Sequence, residues 1–120
     1  MYTPATANDF KAAVQAGATN AGLYNALLQG PIALELTIRM PRPKSHFRTG
    51  KNAGILRDDA PCWHTAKPDL DNIEKALKDA LSDIRVWGDD CQVCQVTKKK
   101  VYVAGQEVCV SDVTISTIPP

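Results

Sequence analysis

The sequence predicts an α+β fold, a small mixed β-sheet with helices packed on it. Three observations predict it. Residues 32–40 alternate between apolar and polar, residues 70–84 carry an apolar stripe at helical spacing, and residues 91–118 divide into two strand-like runs. The 120 residues are 44% hydrophobic and 22% charged, an ordinary globular composition that excludes a disordered or fibrous chain. No apolar run approaches the roughly 20 residues of a membrane helix. Residues 1–30 lack the basic start and apolar stretch of a signal peptide. The expectation is a single cytoplasmic domain over residues 1–120.

The first helix start falls at Thr6-Ala7-Asn8, with Asn8 as the cap. Phe10, Ala13, Val14 and Gly17 then share a face. Leu23, Leu27 and Leu28 suggest a further helical turn or two over residues 21–28, stopped by Gly30-Pro31. Ile32, Leu34, Leu36, Ile38 and Met40 point one way, opposite Glu35, Thr37 and Arg39, as in a half-buried strand. Pro41 and Pro43 end it. Residues 41–68 show no period, and a loop of that length is usually functional or mobile. Pro68 then leads into the strongest helix, with Leu70, Ile73, Leu77, Ala80, Leu81 and Ile84 on its stripe. Asp71, Lys75 and Asp79 line another face of it. After Trp87-Gly88-Asp89-Asp90, residues 91–103 and 106–118 read as two strands joined at Ala104-Gly105 in a hairpin.

Net charge is only +1, but it is unevenly placed. Lys11 is the sole basic residue before Arg39, and residues 101–120 hold none. Between 39 and 67 stand Arg39, Arg42, Lys44, Arg48, Lys51, Arg57 and Lys67 against Asp58 and Asp59. Such a stretch is either a solvated loop or a phosphate-binding surface. Directly after it come Asp69 and Asp71, and then Asp89 and Asp90 one helix length later. A helix of about 15 residues spans roughly 22 Å, so the two acidic pairs meet only if the chain turns back. A single Asp here would merely cap the helix. Two acidic pairs with Lys75 on the same face suit a hard divalent cation better, since clustered carboxylates otherwise repel. Lysines and arginines that hold phosphates beside such a cation suit a nuclease.

The string Asp69-Leu70-Asp71-Asn72, Lys75, Asp79-Ala80-Leu81 and Asp89-Asp90-Cys91-Gln92-Val93 resembles the RusA family of Holliday junction resolvases, especially its phage-type members. Pro41-Arg42-Pro43-Lys44-Ser45-His46 and Lys100-Val101-Tyr102 are similar to that family too. The resemblance implies a Mg²⁺-dependent endonuclease, with Mn²⁺ able to substitute, acting as a homodimer on four-way DNA junctions. It implies Asp69, Asp71 and Asp90 as metal-binding and catalytic residues and Lys75 as the catalytic lysine. The expected DNA contacts are Arg42, Lys44, His46, Arg48, Lys51, Lys67, Lys98 and Lys100, all to backbone phosphate. Family members usually carry a further strand before the segment that begins here at Tyr2-Thr3-Pro4, so the expected domain is short of that strand.

Two other readings compete. Cys62, His64, Cys91 and Cys94 are four possible zinc ligands, although the deaminase pattern is not met and strand residues three apart face opposite ways. A dimeric DNA-binding module without catalysis is the second, and the intact Asp69, Asp71, Asp90 and Lys75 argue against it. Trp63 and Trp87 are placed in core or loop packing ahead of base stacking.

Overall fold

The computed structural model of the protein describes residues 7–104 and 111–119. Its order is α1 (Ala7–Asn20), β1 (Ile32–Met40), a 3₁₀ turn at Lys44–His46 and another at Gly50–Asn52, α2 (Leu70–Asp83), a 3₁₀ turn at Asp90–Gln92, β2 (Val93–Tyr102) and β3 (Asp112–Thr117). This is the α+β architecture that the sequence predicts. No described helix is long and apolar enough to cross a membrane.

The sheet order is β2-β1-β3, with β1 parallel to β2 and antiparallel to β3. The expected hairpin is therefore corrected: β2 and β3 flank β1 and do not pair with each other. Gly105 of the anticipated turn and residues 106–110 of the expected second strand lie outside the described residues, as do Tyr2-Thr3-Pro4 and Thr6. Ile32, Leu34, Leu36 and Ile38 are buried on the inner face and pack with Ile73, Leu77 and Leu81 of α2. The strand and helix stripes thus form one core, as their periods require.

On α1 the packed residues are Phe10, Val14 and Ala18, four apart, while Ala13 and Gly17 are exposed. Lys11 pairs with Asp83 of α2, and Gln15 donates to the Ala80 carbonyl at 3.1 Å. Residues 21–28 are turns rather than helix. Gly22, Asn25 and Leu27 adopt positive φ, which breaks a helix, while Leu23 and Leu28 still reach the core. The main chain from Asn25 to Leu28 instead bonds to the Ile84, Arg85 and Val86 carbonyls.

The C-terminus of α2 has no glycine. Arg85 takes the left-handed residue of a Schellman motif at φ 58°, with Val86 N–H bonded to Leu81 O and Arg85 N–H to Ser82 O. That turn delivers Val86 and Trp87 into the core, where both are almost fully buried.

Candidate active site

The two acidic pairs sit at opposite ends of α2. Asp69 is the N-cap, at φ −69° and ψ 148°, yet its side chain makes no capping bond. An Asp at this position ordinarily accepts from the first helical N–H groups. Here only its main-chain oxygen is used, by Ile73 N–H at 3.1 Å, and the carboxylate stands exposed. Asp71 lies in the first turn with its side chain 93% exposed.

Asp71 is held by Lys98 of β2, whose ammonium lies 2.7 Å from Asp71 Oδ1 and 2.8 Å from Glu74 Oε1. Lys78 adds a 3.0 Å pair to Glu74. The Lys98 hydrogen bond and charge hold the Asp71 carboxyl below the usual carboxylate range, and Asp71 and Glu74 push the Lys98 ammonium up. Lys98→Met is expected to move the Asp71 titration up toward the ordinary carboxylate value, followed by carbon-13 NMR of the side-chain carboxyl. An unmoved titration would mean that the pair does not persist in solution.

Asp90 is built differently. Its Oδ1 accepts from the buried Trp87 indole N–H at 2.8 Å and from the Ser82 hydroxyl. Asp89 accepts from Cys91 N–H at 2.8 Å, and Gln92 answers through Asp89 N–H at 3.0 Å, a capping box. Asp89 is thus structural, and Gln92 also ties this turn to the Leu28 and Gly30 carbonyls. Asp90 is anchored beside Ser82, eleven residues along α2 from Asp71, a distance of about 16 Å. One chain therefore does not bring Asp69, Asp71 and Asp90 together. Among the described residues no three of His, Cys, Asp and Glu stand close enough to hold a metal ion.

The expected DNA contacts divide in two. Lys44, Lys51 and Lys67 are exposed and make no side-chain bond among the described residues, and the same holds for Lys75. Arg48 is exposed but paired with Asp58 at 3.0 Å. The others make contacts within the chain. Arg42 donates to Val103 O at 2.6 Å and to Pro61 O at 2.7 Å, and its guanidinium lies over the Tyr102 ring. It staples the two ends of the basic loop together. His46 packs edge-on against Tyr102 and contacts Arg42. Lys98 serves Asp71 and Glu74, and Lys100 is buried.

A period of two explains the lysines. Val96, Lys98 and Lys100 share one face of β2, opposite Leu34, Leu36 and Ile38 of β1 in register, so they look toward α2. Lys99 looks the other way and is exposed.

The zinc reading is also corrected. Cys62 and His64 lie beside Lys100 and Tyr102 at one end of β2, through Tyr102 N–H to Cys62 O and His64 N–H to Lys100 O. Cys91 and Cys94 stand at the other end, about 25 Å away along the strand. Of the two tryptophans, Trp87 is buried and Trp63 is 59% exposed.

Sequence reasoning missed Ser82, Glu74 and the indole of Trp87 as partners of the acidic residues. The one available sign was Trp87 three positions before Asp90, too common a spacing to stand alone.

On an α+β fold the domain thus carries an uncapped acidic helix end, a second anchored carboxylate and a stapled basic loop. The chain belongs to the RusA endodeoxyribonuclease family, whose family model matches residues 1–111. It is 33% identical over 81 residues to the uncharacterized protein YqaN of Bacillus subtilis strain 168, covering 63% of this chain and 52% of that protein. It is 44% identical over 39 residues to the crossover junction endodeoxyribonuclease rusA of Lactococcus phage r1t, covering 32% of this chain and 30% of that one. The chain thus spans about half or less of the length of these curated relatives.

Proposed function

We propose that the protein is a Mg²⁺-dependent endodeoxyribonuclease that cuts four-way DNA junctions as a homodimer in the cytoplasm, with Mn²⁺ able to substitute. The observation that carries this reading is Asp69, a carboxylate at a helix N-cap that declines to cap and stands beside Asp71 in a RusA-family chain. Within one chain the donor set is two carboxylates, so the rest of an ion's shell would come from water, phosphate or a second chain. Asp69 and Asp71 offer hard oxygen ligands, and Lys98 holds the Asp71 carboxyl below the usual carboxylate range. When bound, the ion supplies an activated water and neutralises charge at the scissile phosphate.

The separation of the acidic pairs bears on assembly. Because Asp90 is fixed at the far end of α2, three carboxylates share one ion only if two chains supply them. Asp69 and Asp71 would come from one protomer and Asp90 from its partner, giving two equal sites by symmetry. Lys75, one turn beyond Asp71 and without a side-chain partner among the described residues, is the side chain placed to meet a phosphate oxygen. Trp87 and Ser82 keep the Asp90 carboxylate in one orientation. Lys44, Lys51 and Lys67 hold the DNA backbone and so position it without reading sequence.

The test compares a four-way junction with linear duplex of equal length, each with Mg²⁺ and with EDTA. Cutting of the junction alone, and with Mg²⁺ alone, is expected. Equal cutting of both substrates would reduce the protein to a general nuclease. Junction binding with no metal-dependent cutting would make it a DNA-binding module without catalysis.

A further inference from the structure

Lys100 is the one charged side chain buried among the described residues, at 8% exposure. Removing an ammonium from water is costly unless its donors are met. No carboxylate meets them among the described residues. Its acceptors are two main-chain carbonyls, Ala66 O and Pro68 O, the second at 2.6 Å. A methionine of similar length would fill the same space without that cost, so packing alone does not account for a lysine here.

What the ammonium holds is specific. Pro68 O belongs to the peptide unit whose nitrogen is that of Asp69. Fixing that carbonyl fixes the peptide plane entering Asp69. The main-chain oxygen of Lys100 also accepts from His64 N–H at 3.2 Å, so one residue ties residues 64, 66 and 68 to β2. Asp69 then sits in extended backbone, and its carboxylate makes no bond to its own helix.

We infer that Lys100 is a positioning residue for Asp69, holding the peptide that leads into it so that the residue bearing the carboxylate is fixed at the entrance to α2, where it is offered to a divalent cation. This rests on Asp69 binding the ion, as proposed above, and assigns Lys100 no contact with DNA.

The test uses Mn²⁺ alone as the probe, followed by calorimetry and electron paramagnetic resonance on the full chain. In folded Lys100→Met protein the Mn²⁺ dissociation constant is expected to rise about tenfold or more, the scale of losing a group that orients a metal ligand. Junction affinity in EDTA is expected to stay within about twofold, because an orienting group acts on the ligand and not on DNA. Asp69→Asn is the control. If Asp69→Asn weakens Mn²⁺ binding and folded Lys100→Met does not, the inference falls and the metal reading stands. If Asp69→Asn leaves Mn²⁺ binding intact, the metal reading falls and takes the inference with it. A junction affinity that drops in EDTA while Mn²⁺ binding holds would make Lys100 a phosphate contact and overturn the inference. Should Lys100→Met fail to fold, nitrogen-15 NMR of lysine ammonium groups in the unaltered protein decides. A slowly exchanging Lys100 signal that Mn²⁺ broadens is expected. A freely exchanging signal, or one that Mn²⁺ leaves sharp, overturns the inference.

Discussion

Mixing Asp71→Asn protein with Asp90→Asn protein is expected to restore metal-dependent junction cutting that neither shows alone. The expectation follows from the length of α2. Asp71 sits in its first turn, and Asp90 is bonded to Ser82 near its last. If each site draws Asp69 and Asp71 from one chain and Asp90 from the other, a mixed dimer carries one site with both lesions and one with none. Random exchange at equal amounts makes half the dimers mixed, so about a quarter of the original sites recover. Either homodimer should cut roughly a hundredfold to a thousandfold more slowly than the unaltered protein, the scale of removing one group that stabilises the reacting charge. Both variants should still bind the junction, since neither residue belongs to the basic loop. The measurement is cleavage of a labelled junction after the two proteins are denatured and refolded together. No recovery in the mixture, with dimers shown by sedimentation, would place each site within one chain.

The parts of the fold that were legible in the sequence are those set by local period. The β1 alternation from Ile32 to Met40 and the α2 stripe from Leu70 to Ile84 are each fixed by burial of one face, and both pack as their spacing requires. Sheet order was not legible in the same way. The short link at Ala104-Gly105 suggests a hairpin, but which strand takes the centre depends on which can bury a full apolar face. β1 has four buried residues on that face, whereas β2 offers Val96 with two lysines and β3 offers Val113 and Ile115. The segment at 21–28 misled for a related reason, because leucines three to five apart serve an irregular turn as well as a helix.

In the site, residue types were legible and placement was not. Asp69, Asp71, Lys75 and Asp90 stand out as a pattern, but whether they meet depends on where the chain goes after α2. That is decided by Arg85 at positive φ, a position for which glycine is the usual marker and which nothing in the sequence flags. The run Lys98-Lys99-Lys100 reads as a solvated strand end, since three adjacent lysines are seldom buried. Only the register with β1 shows that two of the three turn inward, one to Asp71 and one to the peptide before Asp69.

That division of the basic residues changes what a DNA-binding experiment should alter. Arg42 belongs to the loop's own structure, through Val103 O and Pro61 O, so its removal would weaken binding by unfastening the loop. Arg48 spends its charge on Asp58. Among the described residues of the loop, the side chains free to neutralise phosphate are Lys44, Lys51 and Lys67, the last only two residues before Asp69. Replacing all three with alanine is expected to reduce the slope of log affinity against log salt by about 0.9 for each lost phosphate contact on duplex arms, up to nearly three in all. At low salt this is the largest expected effect on binding, because released counterions are most valuable there. The loss should be uniform across junction sequences, since backbone contacts carry no base information. Fluorescence anisotropy of a labelled junction, titrated in EDTA at several salt concentrations, separates this slope from any change in cutting. A slope unchanged in the triple variant would move the DNA off the loop and onto other free cations such as Lys99 on the outer face of β2. A reduced slope with unchanged metal affinity would show that the loop and the acidic end of α2 divide the work, one holding the backbone and the other the ion.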